Sequence, residues 1–163
     1  MPSTIAKSVK NFFFPGLSKL NGLRYETAVE GLVLAHELIL QLATQIEVHA
    51  PGAPYPHMMR NLRRIASEKY EGARKLRILL EKLGEQPRSA TGESKTGINH
   101  WERLNLDLQD QVAVDDLLFT LELKSGETTE VAKLVEELRV TQRSHRRILS
   151  DLIALADPQA TQT

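Results

Sequence analysis

The chain has 163 residues, 41% hydrophobic and 26% charged, with 21 Lys and Arg against 21 Asp and Glu. The neutral balance gives no whole-chain attraction to nucleic acid or an anionic membrane, and the length suits one domain with a core of its own. Cysteine is absent, which excludes disulfides, thiolate metal sites and cysteine nucleophiles and leaves His and carboxylate as metal-ligating side chains.

Residues 1–22 form an apolar and basic arm. Ile5, Val9, Phe12, Phe13, Phe14, Leu17 and Leu20 alternate with Lys7, Lys10 and Lys19. The arm lacks the continuous apolar core of a signal peptide, and no apolar run in the chain reaches the roughly 20 residues of a bilayer span. A cytoplasmic location is therefore expected. Phe12, Phe13 and Phe14 are read as a cap on the end of the bundle or on a neighbouring subunit; the sharper alternative is contact with a membrane surface.

Residues 23–157 hold four long stretches without strand signals. Arg24 to Ala50 is closed by Pro51-Gly52-Ala53-Pro54, since proline cannot continue a helix. A second stretch runs from Tyr55 to Leu83 and stops at Gly84, with Pro87 beyond it. Residues 85–97 are polar, contain Pro87, Gly92 and Gly97, and read as a connection. Ile98 to Lys124 closes at Ser125-Gly126, and Thr128 to Ala156 is stopped by Pro158, leaving 158–163 as a tail. Helices of this length are about 40 Å long, and the connection, at roughly 3.3 Å per extended residue, can run the length of a bundle. The expected fold is an all-α four-helix bundle, two antiparallel hairpins joined by a crossover.

The inward stripes carry polar residues at mid-height. Lys69 lies within the stripe of Leu62, Ile65, Ala73, Leu76, Leu80 and Leu83, with Gly72 beside it. Gln142 and His145 interrupt Val131, Leu134, Leu138, Leu149 and Leu152, and His36 lies toward the apolar face of the first helix. On the third helix Asn105, Gln109 and Asp116 face out, which turns Asp107, Gln111 and, at the margin, Asp110 inward. Folding the first hairpin about Gly52-Ala53 sets His36 opposite Lys69, and folding the second about Gly126 sets Asp110 opposite Gln142. The expectation is one buried polar layer, with Lys69 paired to Asp107 or Asp110 because an unpaired buried charge is costly.

This pattern resembles the ferritin-like superfamily, whose helices two and four each carry Glu-x-x-His and whose helices one and three each carry a Glu. Gln142-Arg143-Ser144-His145 with Leu149 is similar to that motif with Gln for Glu, and Asp110, Ala113 and Leu117 fall in the third-helix register. Lys69, Gly72 and Leu76 occupy the second-helix motif, and His36 stands at the first-helix Glu position. The resemblance covers Arg24 to Ala156 and implies a dimetal centre in the family. Here a cation, a glycine and an amide replace ligands, so the expectation is a non-catalytic structural or interaction module without cofactor. The alternative is an oxidoreductase or iron-handling protein with iron or manganese on Glu37, Glu68, Asp110 and His145, with Glu71 nearby. Glu37 and Glu71 project away from the apolar stripes, which favours solvated carboxylates there.

His36 and His145 are read as hydrogen-bonded core histidines rather than ligands. Residues 92–97 lack the strand and spacing of a phosphate loop. Arg143, Arg146 and Arg147 alternate with acidic residues, as on a solvated face, and no nucleic-acid contact is expected. Helix one is apolar over more of its circumference than one core face requires, which points to a homodimer.

Overall fold

The computed structural model describes residues 28–90, 92–125 and 129–156. The arm, including Phe12, Phe13 and Phe14, and the tail lie outside the described residues. Among the described residues four helices follow in order: α1 Ala28–His49, α2 Pro56–Lys82, α3 His100–Lys124 and α4 Glu130–Leu155, with a 3-10 turn Ala50–Gly52 after α1. No strand occurs among the described residues.

Local chemistry sets the ends. Pro51 and Pro56 each fall in the first turn of their element, where a missing N–H costs nothing. At the end of α2, Gly84 takes φ +78°, its N–H donates to the Glu81 carbonyl (3.1 Å), and the Glu85 N–H donates to the Leu80 carbonyl (2.9 Å). That pair of bonds is the Schellman arrangement, which favours glycine at this position. Asn99 caps α3 by accepting from the Glu102 N–H (2.8 Å), and Thr129 caps α4 by accepting from Ala132 (3.1 Å).

Cross-helix contacts fix the topology. Lys82–Glu130 and Lys75–Glu137 join the end of α2 to the start of α4, and Glu68–His145 continues the series, so α2 and α4 are antiparallel. Arg139 meets Glu122, and its guanidinium lies 5.1 Å from the Phe119 ring centroid; with Gln111–Gln142 these make α3 and α4 antiparallel. At the opposite end, the last turns of α1 meet Asp107 and Asp110 near the start of α3. The chain therefore travels the bundle length between α2 and α3, and α3 runs parallel to α2. This is the expected crossover.

The core is continuous, with Leu32, Ile39, Leu42 and Ile46 of α1, Leu62, Ile65, Leu76 and Leu80 of α2, Leu104, Leu117 and Leu121 of α3, and Val135, Leu149 and Leu152 of α4 all buried. Leu83 departs from the expected stripe. It sits past the last turn of α2 and is exposed. The segment Ala28–Gly52 is long and apolar enough, by length and composition, to cross a membrane, contrary to the sequence expectation; 67% of its apolar window is buried inside the bundle. It is the central core helix here, covered by α2, α3 and the crossover.

Candidate functional site

Lys69 is fully buried. Its ammonium donates to Oε1 of Gln111 and to Oε1 of Gln142 (2.5 Å to the latter). The two amides are themselves linked, with Gln111 Nε2 donating to Gln142 Oε1 (3.2 Å) and to Asp115 Oδ1 (2.9 Å). Two neutral carbonyl dipoles compensate an ammonium less well than a carboxylate does. Burial accordingly lowers the Lys69 pKa to about 7, against the pull of Asp115, Asp107 and Glu68. Beside it, His145 is buried, and its Nε2 meets Glu68 Oε2 at 2.7 Å while its Nδ1 has no partner. Burial and the nearby Lys69 charge push this histidine down to about 4 despite Glu68. The ring is thus neutral near pH 7, donating through Nε2 and holding a dry lone pair on Nδ1.

A second polar cluster lies between α1, α3 and the crossover. Gln45 Nε2 donates to Asp107 Oδ1 (2.9 Å) and to Asp110 Oδ2 (3.0 Å), and Lys95 Nζ pairs with Asp110 Oδ1 at 2.5 Å. His49 presents Nδ1 to both Asp107 oxygens, at 2.9 and 3.0 Å, and donates through Nε2 to the Lys95 carbonyl at 2.6 Å. Because Nε2 must carry a proton to meet a carbonyl, a further proton has to lie between Nδ1 and Asp107. Charge balance places it on the imidazole, since two carboxylates then face two cations in a buried space. Burial opposes that charge, but hydrogen bonding and attraction to Asp107 outweigh it and raise the His49 pKa above 6.5.

These side chains hold the crossover in place. Gln41, Gln45 and His49 lie at successive i+4 positions on one side of α1. Gln41 binds both the carbonyl (2.8 Å) and the N–H (3.2 Å) of Gly92, and Gln45 accepts from the Lys95 N–H (3.0 Å). The amide groups thereby satisfy backbone that would otherwise be orphaned against the bundle.

Every residue expected in the polar layer is buried: His36, Lys69, Asp107, Asp110, Gln111, Gln142 and His145. They do not form one layer. Lys69, Gln111, Gln142 and His145 stay together, whereas Asp107 and Asp110 turn toward α1 and bind Gln45, His49 and Lys95. The expected Lys69–aspartate hydrogen bond is replaced by the two amides, and Asp107 acts on Lys69 only through its field. His36 is also displaced. Tyr70 donates to Glu47 (2.7 Å) and lies 3.3 Å from the Thr44 hydroxyl, so the first hairpin folds about the start of α2, several residues past Gly52-Ala53. That register sets His36 near Arg77, and burial together with the Arg77 charge lowers its pKa. In the second hairpin it is Gln111, not Asp110, that meets Gln142.

The alternative carboxylate set is dispersed. Glu37 is buried rather than solvated, Glu71 is exposed and bound by Arg74 at 2.6 and 2.8 Å, and Asp110 belongs to the other cluster. No group of three or more His, Asp or Glu placed to hold a metal occurs among the described residues. A Cβ on Gly72 would stand 3.0 Å from Leu138 Cδ2, so a leucine fills the space where the resemblance places a histidine ligand. His145 Nδ1 keeps a dry lone pair, but the Gln111 and Gln142 amide oxygens already serve an ammonium. This donor set does not fit a pair of divalent cations.

No family model and no curated protein matches the chain. Among solved structures it is similar to a dodecameric thioferritin, the bacterioferritin-related protein of Bacteroides fragilis. The TM-score is 0.70 over 91% of this chain and 93% of that one, at 15% sequence identity. The likeness shows a ferritin-like four-helix-bundle fold.

Proposed function

We propose that this protein is a ferritin-fold module without a dimetal centre, acting as a structural or interaction protein in the cytoplasm rather than as an enzyme. The observation that carries this reading is the Lys69 ammonium held between the Gln111 and Gln142 carbonyls at mid-bundle. A cation of the protein's own stands where the family resemblance expects metal, and it repels a divalent ion as long as it keeps its proton. Burial of Lys69, the amide at Gln142 and the leucine over Gly72 all support a centre converted to internal hydrogen bonding. Self-association as a homodimer belongs to the same reading, supported by the dodecameric state of the similar thioferritin.

Titration of the full chain with Fe(II) and with Mn(II) tests the proposal, with bound metal read by elemental analysis after desalting. Substoichiometric metal is expected, unchanged by Asp110→Ala or His145→Ala. Stoichiometric metal that either substitution abolishes would establish the alternative oxidoreductase or iron-handling reading. Sedimentation at micromolar concentration is expected to give a dimer, and a monomer throughout would remove that part.

A further inference from the structure

A cleft of about 400 Å³ opens where the start of the crossover passes over the seam between α1 and α2. No role in the bundle centre involves it. Leu40, Ala73 and Pro87 supply apolar wall, and Arg74, Arg77 and Arg88 stand around it with the Ser89 hydroxyl. Among the described residues no carboxylate lines it. The three guanidinium groups are not equivalent. Glu71 binds Arg74 in a two-bond fork, whereas Arg77 lies 3.9 Å from Glu81 in an exposed i,i+4 pair, a geometry that contributes little. Arg77 and Arg88 are therefore the groups available to an incoming anion.

His36 adds a buried group. It is 5% exposed, the Arg88 backbone takes up one ring nitrogen, and Nδ1 has no hydrogen-bond partner. A buried imidazole nitrogen without a partner carries a desolvation cost. The guanidinium forks of Arg77 and Arg88 match a phosphate group. The volume exceeds what inorganic phosphate fills and lies within the range of small-molecule sites, and the apolar wall suits an organic substituent.

We propose that this cleft binds a small phosphate monoester, its phosphate on the exposed Arg77 and Arg88 and its organic part on Leu40, Ala73 and Pro87, with His36 forming the buried floor beneath them. Binding of a ligand here couples α1, α2 and the crossover, because Arg88 and Ser89 belong to the crossover.

Calorimetric titration of the full-length protein with phenyl phosphate is the test, with inorganic phosphate and benzoate as comparison probes. Saturable binding of phenyl phosphate is expected, tighter than either comparison probe. Arg77→Gln and Arg88→Gln are each expected to weaken it about tenfold or more, while Arg63→Gln, on α2 outside the cleft, leaves it unchanged. Unaltered thermal midpoints in these exposed-residue variants show that the fold is retained. Absence of saturation, affinity unaffected by Arg77→Gln and Arg88→Gln, or equal affinity for benzoate or inorganic phosphate would overturn the assignment.

Discussion

Replacing Gln142 by Leu is expected to destabilise the bundle by about 2–3 kcal/mol at pH 6, and adding Lys69→Met is expected to recover that loss. The single change removes one of the two carbonyls that receive the Lys69 ammonium and leaves a buried charge with one direct acceptor. Removing the charge as well leaves an apolar pair beside Gln111, whose amide still donates to Asp115. Lys69→Met alone is expected to stabilise by roughly 1–4 kcal/mol, as replacement of a buried charge by a hydrophobe of similar volume commonly does. The network can close again after that change, because Gln142 Nε2 has no partner and a rotated amide donates to Gln111 Oε1. Urea unfolding of the four proteins completes the double-mutant cycle. Strict additivity would mean that Lys69 is not held by this amide.

The pH dependence separates the charge from the packing. The folded Lys69 pKa of about 7 lies below its ordinary value of 10.5, so between those values the unfolded chain binds more protons. Wild-type stability therefore gains from Lys69 as pH rises through that window and is lowest with respect to this group below pH 7. The advantage of Lys69→Met is accordingly greatest below pH 7 and shrinks above it.

Asp107→Ala is expected to cost about 3–5 kcal/mol, because it leaves a buried imidazolium without its counter-ion. The same substitution loosens the crossover. Hydrogen exchange at the Lys95 amide, which donates to Gln45, is expected to accelerate more than at core positions of α2. Asp110→Ala should cost less, since its partner Lys95 is one-third exposed and water can take up the freed ammonium. His49 has a folded pKa above its unfolded value, so its contribution is complete below about pH 6.5 and disappears as pH rises through the raised pKa. Asp107→Ala removes that slope. If exchange at Lys95 is unchanged, the cluster does not hold the crossover.

The helices were legible because their terminators act locally. Pro51 and Pro54, Gly84 and Ser125 each end an element within a residue or two of where backbone chemistry requires it, and the length of the 85–97 segment already permitted the crossover. The burial of Lys69, Gln142 and His145 was legible too, since each interrupts an apolar stripe of fixed period. Their partners were not. Pairing depends on where a hairpin folds, and the 3-10 turn with Tyr55 moved that point past Gly52-Ala53, carrying His36 two turns away from Lys69. Gln45 and His49 left a readable trace with Gln41, a polar row at i+4 spacing on an apolar helix. Lys95 left none, because its role depends on a loop meeting a helix nearly fifty residues earlier. Glu37 misled because a helix covered on several sides has no outward face to assign from periodicity.

The most direct measurement is the titration of Lys69 itself, followed by NMR through its labelled side-chain Cε and Nζ signals in the full-length protein. A midpoint near pH 7 is expected, with slow exchange of the Nζ protons and a shift of the midpoint on Gln142→Leu. A midpoint at the ordinary lysine value, with rapidly exchanging protons untouched by that substitution, would contradict it.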